Sequence, residues 1–279
     1  MGQLNGLLQI DLGDYRFGLP VRVTVPTYAG NEDLLNTERE VEMSGPIHDK
    51  GVLILHSYLV ALFAHMALLA LNASIVFEQK YPGIEGDSAS CAELYVILSS
   101  LFSVALQQGI AVTGAVNQHG EVLPVGGVNE KIEGYFRTCE KAGLDGTQGV
   151  LIAQRNRRHL MLERALVDAV AQGLFHIYTA EHASEGIALP TGHSSGMPMG
   201  ASVCAHDGVL GHAQKTLQAY RHACQLPDHP KPPHALTPRE RPGWRLAQSR
   251  RAGSSRRTPG SGPRLASRWR HQSAVWCRC

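Results

Sequence analysis

Strand and helix signals follow one another along the first 190 or so residues without a regular strand–helix alternation, and this irregular order limits the fold most. Leu7–Leu12 alternates, Gly13-Asp14 marks a turn, and Phe17–Val25 alternates again. Arg39–Met43 reads as a third strand, Ile47–Phe63 carries apolar residues at helical spacing (Val52, Leu55, Leu59, Leu62, Phe63), and Ala70–Phe77 returns to strand. An apolar helix is expected from Ala89 to Leu106, a strand over Gly109–Val116, and a turn at Asn117–Gly120 with Glu121–Val125 returning. Helix Asn129–Ala142, strand Gly149–Ile152, amphipathic helix Arg157–Gln172 (Leu160, Leu162, Ala165, Leu166 and Val170 inward), strand Phe175–Tyr178 and helix Ala183–Leu189 complete the pattern. Mixed elements in this order argue for an α+β fold over a doubly wound sheet.

The boundaries follow from composition. Residues 1–195 form the expected domain, and 196–230 an extension in which Val209–Cys224 reads as a peripheral helix. Proline, serine and arginine dominate from there, so 231–279 reads as a disordered basic tail. The formal charge of +2 hides a strong asymmetry: from Lys231 onward there are 12 Lys/Arg against Glu240 alone, leaving 14 basic and 23 acidic residues before it. Arginine clusters attract phosphate without sequence preference. This tail has no recognition motif, however, and reads equally as a frame-shifted or read-through terminus, so nucleic acid is not an expected partner. Six scattered cysteines fit a reducing compartment, and neither a basic-then-apolar leader nor a membrane span stands out. A soluble, cytoplasmic protein is expected. No histidine or cysteine grouping has metal-ligand spacing.

Two segments carry chemistry. Tyr81–Ser90 is a glycine-bearing loop that delivers Ser88 to a helix start, and Gly114–Glu133 delivers Lys131 to another. A serine hydroxyl is a weak nucleophile until a base takes its proton. A lysine can be that base once burial and positive potential lower its pKa to roughly 7–8. A helix start adds such potential, and beside Ser88 its free N–H groups can hold an oxyanion. Taken singly, Ser88 reads as a helix cap and Lys131 as a solvated surface lysine; together they favour catalysis. A Ser-His-Asp triad fits less well, because Gly86-Asp-Ser-Ala-Ser90 lacks the last glycine of a nucleophile elbow and no histidine is singled out by position.

Glu85-Gly-Asp-Ser-Ala-Ser90, the run from Gly114 through His-Gly-Glu-Val and Gly-Gly-Val-Asn-Glu to Lys131, and the spacing of Ser88 and Lys131 resemble the proteolytic domain of Lon proteases, of the B-type variety. The similarity covers about Asn5 to Gly192. It implies a compact α+β proteolytic domain with Ser88 as nucleophile and Lys131 as general base. It also implies that Thr113 hydrogen-bonds the lysine amine, that Glu85 is an acidic residue flanking the nucleophile, and that the backbone of Asp87–Ala89 forms the oxyanion hole. Where many A-type members have a glutamate after a lysine on the first long helix, this chain has Lys50-Gly51.

The resemblance further implies a homo-hexameric ring that degrades unfolded proteins, fed by an ATP-driven AAA+ motor. No Gly-x-x-x-x-Gly-Lys-Ser/Thr loop occurs in the chain, so no ATP or other cofactor site is expected within it. The chain would then be a fragment, one half of a divided gene served by a separate ATPase, or a relative that lacks the motor. The competing expectation is an inactive Lon-like module that scaffolds an assembly or binds nucleic acid; such a module would lack the serine–lysine pair.

Overall fold

A computed structural model describes residues 1–30, 34–40, 42–63, 70–78, 83–196 and 208–225. They fall within one compact unit, and the tail expected over 231–279 lies outside the described residues.

The fold is α+β. The strands of its mixed eight-stranded sheet are β1 (Gln3–Asp11), β2 (Arg16–Thr24), β3 (Thr27–Ala29), β4 (Leu34–Asn36), β5 (Leu71–Phe77), β6 (Ile110–Val112), β9 (Gly149–Ala153) and β10 (His176–Ala180). Short strands β7 (Ala115–Val116) and β8 (Val122–Leu123) make a separate hairpin. The order is β10-β9-β6-β1-β2-β5-β3, with β4 added to β5. The strands β10, β9, β6 and β1 run parallel, whereas β1 and β2 form an antiparallel hairpin from Gln3↔Thr24 to Asp11↔Arg16.

Alternation along the strands sends side chains into two cores. Leu4, Leu8, Val112 and Leu151 face one core, which also holds α2 (Pro46–Leu62), α3 (Ser90–Phe102) and α8 (Val209–Gln225). Leu7, Ala111, Val150 and Ile152 face the other, covered by α4 (Val128–Ala142) and α5 (Arg164–Ala171). Covering helices explain why α3 and α4 differ. Helix α3 lies between the sheet and two other helices and buries nearly every residue, whereas α4 buries only the apolar stripe Val128, Ile132, Tyr135, Phe136 and Cys139 together with Lys131.

Five expectations change. Residues 37–40 form the short helix α1 (Thr37–Glu40) after β4, not a strand over Arg39–Met43. The strand expected over Gly109–Val116 breaks at Thr113-Gly114, where the chain leaves the sheet to reach the Ser88 loop: Thr113 N–H still bonds Leu151 O (3.0 Å), but Gly114 N–H bonds Ser88 O (2.9 Å). The helix expected over Arg157–Gln172 is divided. A 3-10 turn spans Gln154–His159, and α5 starts only at Arg164, with Leu166 and Ala169 inward and Ala165 exposed. Helix α8 is not peripheral: Val209, Leu210, Ala213 and Leu217 are buried in the first core against α3. The last expected helix is α6 (Ala183–Gly186) followed by α7 (Ala188–Thr191). No described helix is long and apolar enough to cross a membrane.

Candidate active site

The candidate site forms where β6 ends. Pairing of β6 with β1 stops at Gly6↔Val112, while the β1–β2 hairpin runs on to Asp11. Beyond that end, a residue from the α4 layer can meet one from the α3 layer. Lys131 Nζ lies 2.7 Å from Ser88 Oγ and 3.4 Å from Thr113 Oγ1. Thr113, the first residue after β6, also donates from Oγ1 to the Ser88 carbonyl at 3.2 Å. The three residues the sequence singled out are therefore neighbours.

Ser88 does not cap α3 through its side chain. The helix begins at Ser90 with Ala89 as its N-cap, and no side chain fills the cap. The next turn is held instead by Ser90, buried, whose Oγ donates to Asp87 O (2.9 Å) and accepts from Val116 N–H (3.0 Å). That staple fastens the Ser88 loop to β7. Sequence reasoning gave Ser90 no role, since serine at a helix start carries no sign of which strand it will meet. The backbone N–H groups of Asp87, Ser88 and Ala89 donate to no acceptor among the described residues, which leaves them open where α3 begins.

Lys131 sits in the first turn of α4, with its N–H on Gly127 O (3.0 Å), and only 3% of the residue is exposed. Burial pushes its amine from the usual 10.5 down to about 8, while Asp87 and Glu130 act in the opposite direction by favouring the charged form. Gly126-Gly127 is the turn that starts α4. Gly127 has φ +63°, and a Cβ there would collide with the Gln9 side chain. Asn156 clamps the preceding Val125 by bonds to its N–H and its carbonyl, both 3.0 Å.

The acidic residues divide. Asp87, half-buried, lies close enough to act on Lys131 and packs over Gly51, where a Cβ would come 3.1 Å from the Asp87 Cβ. Lys50-Gly51 thus leaves room for the Ser88 loop. Glu85 is exposed, and its carboxylate lies against Gly45 at the start of α2. Ala89 is buried at the foot of α3. Groups of three or more side chains suited to a metal ion are absent among the described residues.

Residues 80–188 match the family model of the Lon protease (S16) C-terminal proteolytic domain, a span holding the Ser88 loop and Lys131. Curated relatives agree. A protein of Escherichia coli K12 named "Putative Lon protease homolog" is 40% identical over 191 residues, 68% of this chain and 33% of the relative. The protein of that name from Haemophilus influenzae Rd is 41% identical over 183 residues, 65% of this chain and 30% of the relative. An archaeal Lon protease of Methanothermobacter thermautotrophicus is 40% identical over 96 residues, 34% of this chain and 14% of the relative. The chain spans about a third of the length of the first two. The motif-bearing span and the relatives agree: the chain carries a Lon-type (S16) proteolytic domain.

Proposed function

We propose that this domain is a serine endopeptidase in which Ser88 and Lys131 form the catalytic dyad. The observation that carries the reading is the 2.7 Å contact between a half-exposed hydroxyl and a buried amine of lowered pKa. In its neutral form the amine takes the Ser88 proton as Oγ attacks the peptide carbonyl. Oxyanion charge falls beside the Ser88 and Ala89 N–H groups. The lysinium returns its proton to the leaving amine, which departs and leaves an ester on Ser88. A water, deprotonated by the same amine, then hydrolyses that ester, and the lysinium returns this proton to Ser88 Oγ as the acid product leaves. Thr113 holds the amine in line through its Oγ1.

The substrate class we infer is unfolded polypeptide, handled in a homo-hexameric ring and delivered by an ATP-driven motor. The family match supports this part. A reducing, cytoplasmic setting is part of this proposal and fits the free thiols of Cys91 and Cys224. The test is cleavage of fluorescent casein by the parent, Ser88→Ala and Lys131→Ala. The parent should cleave and both variants should fall to background. Variants as active as the parent would refute the dyad.

A further inference from the structure

His48 in α2 and Glu93 in the first turn of α3 form a pair that the dyad chemistry leaves unused. Nδ1 and Oε1 stand 3.8 Å apart, with about 1% of each side chain exposed. Burying an imidazole and a carboxyl in a core costs folding free energy that apolar side chains of the same size would not. Their neighbourhood accounts for them. The ring sits edge-on to Phe77 at the end of β5 (5.4 Å between centroids) and lies within polar reach of the Gly86 backbone, two residues before Ser88. Asp49 and Glu85 are the other charges that act on it.

Further backbone ties of this loop lead to the same place. Gly45 N–H donates to Ile84 O (2.7 Å), Ile84 N–H to Met43 O (2.8 Å), and Gly51 lies under Asp87. Gly86 itself turns with φ +89°. The start of α2 is therefore the seat of the nucleophile loop. His48 stands at that seat beside the loop and, through Glu93, beside the helix that Ser88 precedes.

We propose that His48 and Glu93 are positioning residues that hold the 83–89 loop at the height where Ser88 Oγ meets Lys131 Nζ. The proposal rests on the dyad reading above, and its test has one arm that does not. Three variants are compared: Glu93→Gln, His48→Asn, and the apolar double variant His48→Leu/Glu93→Met. Peptide cleavage should lose kcat by on the order of 10²-fold, as expected for a nucleophile misplaced by about an ångström, with KM held within about twofold. Amide hydrogen exchange over residues 83–89 should quicken by roughly tenfold or more, while exchange within α3 and cooperative melting are kept. The double variant should melt at or above the parent temperature without recovering kcat.

A double variant with parental kcat, or unchanged exchange over 83–89, overturns the proposal. If a single variant does not fold, the double variant decides. If Ser88→Ala cleaves as well as the parent, the dyad reading falls, and the exchange arm still judges the pair.

Discussion

Gly18 of β2 and Lys131 of α4 meet backbone to backbone: a Cβ on Gly18 would stand 2.5 Å from Lys131 Cα and collide with the Glu130 carbonyl. One turn on, a Cβ at Gly134 would strike the Gly18 carbonyl in return. This close approach lets a helix from the second core carry an amine to a serine at the edge of the first. Gly18→Ala should therefore push α4 outward and draw Nζ away from Ser88. The expected result is a kcat loss of about 10²-fold and destabilisation of roughly 1–3 kcal/mol, read by steady-state kinetics and denaturant unfolding. Parental kcat would show that the contact does not position the lysine.

Activity should depend on the charge of Lys131. With its pKa lowered to about 8, roughly one amine in ten is neutral at pH 7 and about half at pH 8. The kcat/KM for a peptide should rise with pH and level off above a midpoint near 8. Asp87 favours the charged form, so Asp87→Asn should move that midpoint toward lower pH. A flat profile, or a midpoint unmoved in the variant, counts against Lys131 as the base.

The same shift bears on stability. Lys131 binds a proton more weakly folded than unfolded, so between its folded value of about 8 and its usual 10.5 the unfolded chain holds more protons. Stability contributed by this residue then rises with pH across that window, and below it the lysine is a standing penalty. At pH 7, Lys131→Met should stabilise the domain by roughly 1–3 kcal/mol while abolishing activity. Urea unfolding at about pH 7 and about pH 10 should show the gain shrinking at the higher pH.

Much of this site was legible because its chemistry sits in two short segments whose local grammar is strong. Gly86 and Gly127 adopt positive φ, α4 shows its helical stripe plainly, and the structure brings Ser88, Thr113 and Lys131 together. The rest depended on contacts that no segment announces. Gly18 reads as an ordinary strand glycine until α4 is laid on it. His48 and Glu93 lie on separate helices and become a pair only after both pack under one loop. Leu162, Leu166 and Val170 keep a helical period, yet residues 160–163 are not helical; Leu160 and Leu162 pack against the second core from non-helical backbone. Tertiary packing overrides the period there, as it does at Thr113, where the strand pattern continues but hydrogen bonding to Ser88 O ends the strand.

Thr113 offers the sharpest separation of positioning from packing. Its hydroxyl donates to the Ser88 carbonyl and accepts from Lys131 Nζ, and the residue is 1% exposed. Thr113→Val keeps the shape but removes both bonds, leaving a buried carbonyl and amine each short of one partner. The expected cost is about 1–2 kcal/mol of stability and roughly tenfold in kcat. Thr113→Ser restores the hydroxyl and should recover most of kcat despite the lost methyl group. By contrast, Glu85→Gln alters an exposed carboxylate that points toward Gly45, so kcat should stay within about twofold of the parent. Measuring kcat and the melting temperature for these three variants together decides the matter. Should Thr113→Ser stay as impaired as Thr113→Val, the methyl group's packing and not the hydroxyl's bonds would be what the site requires.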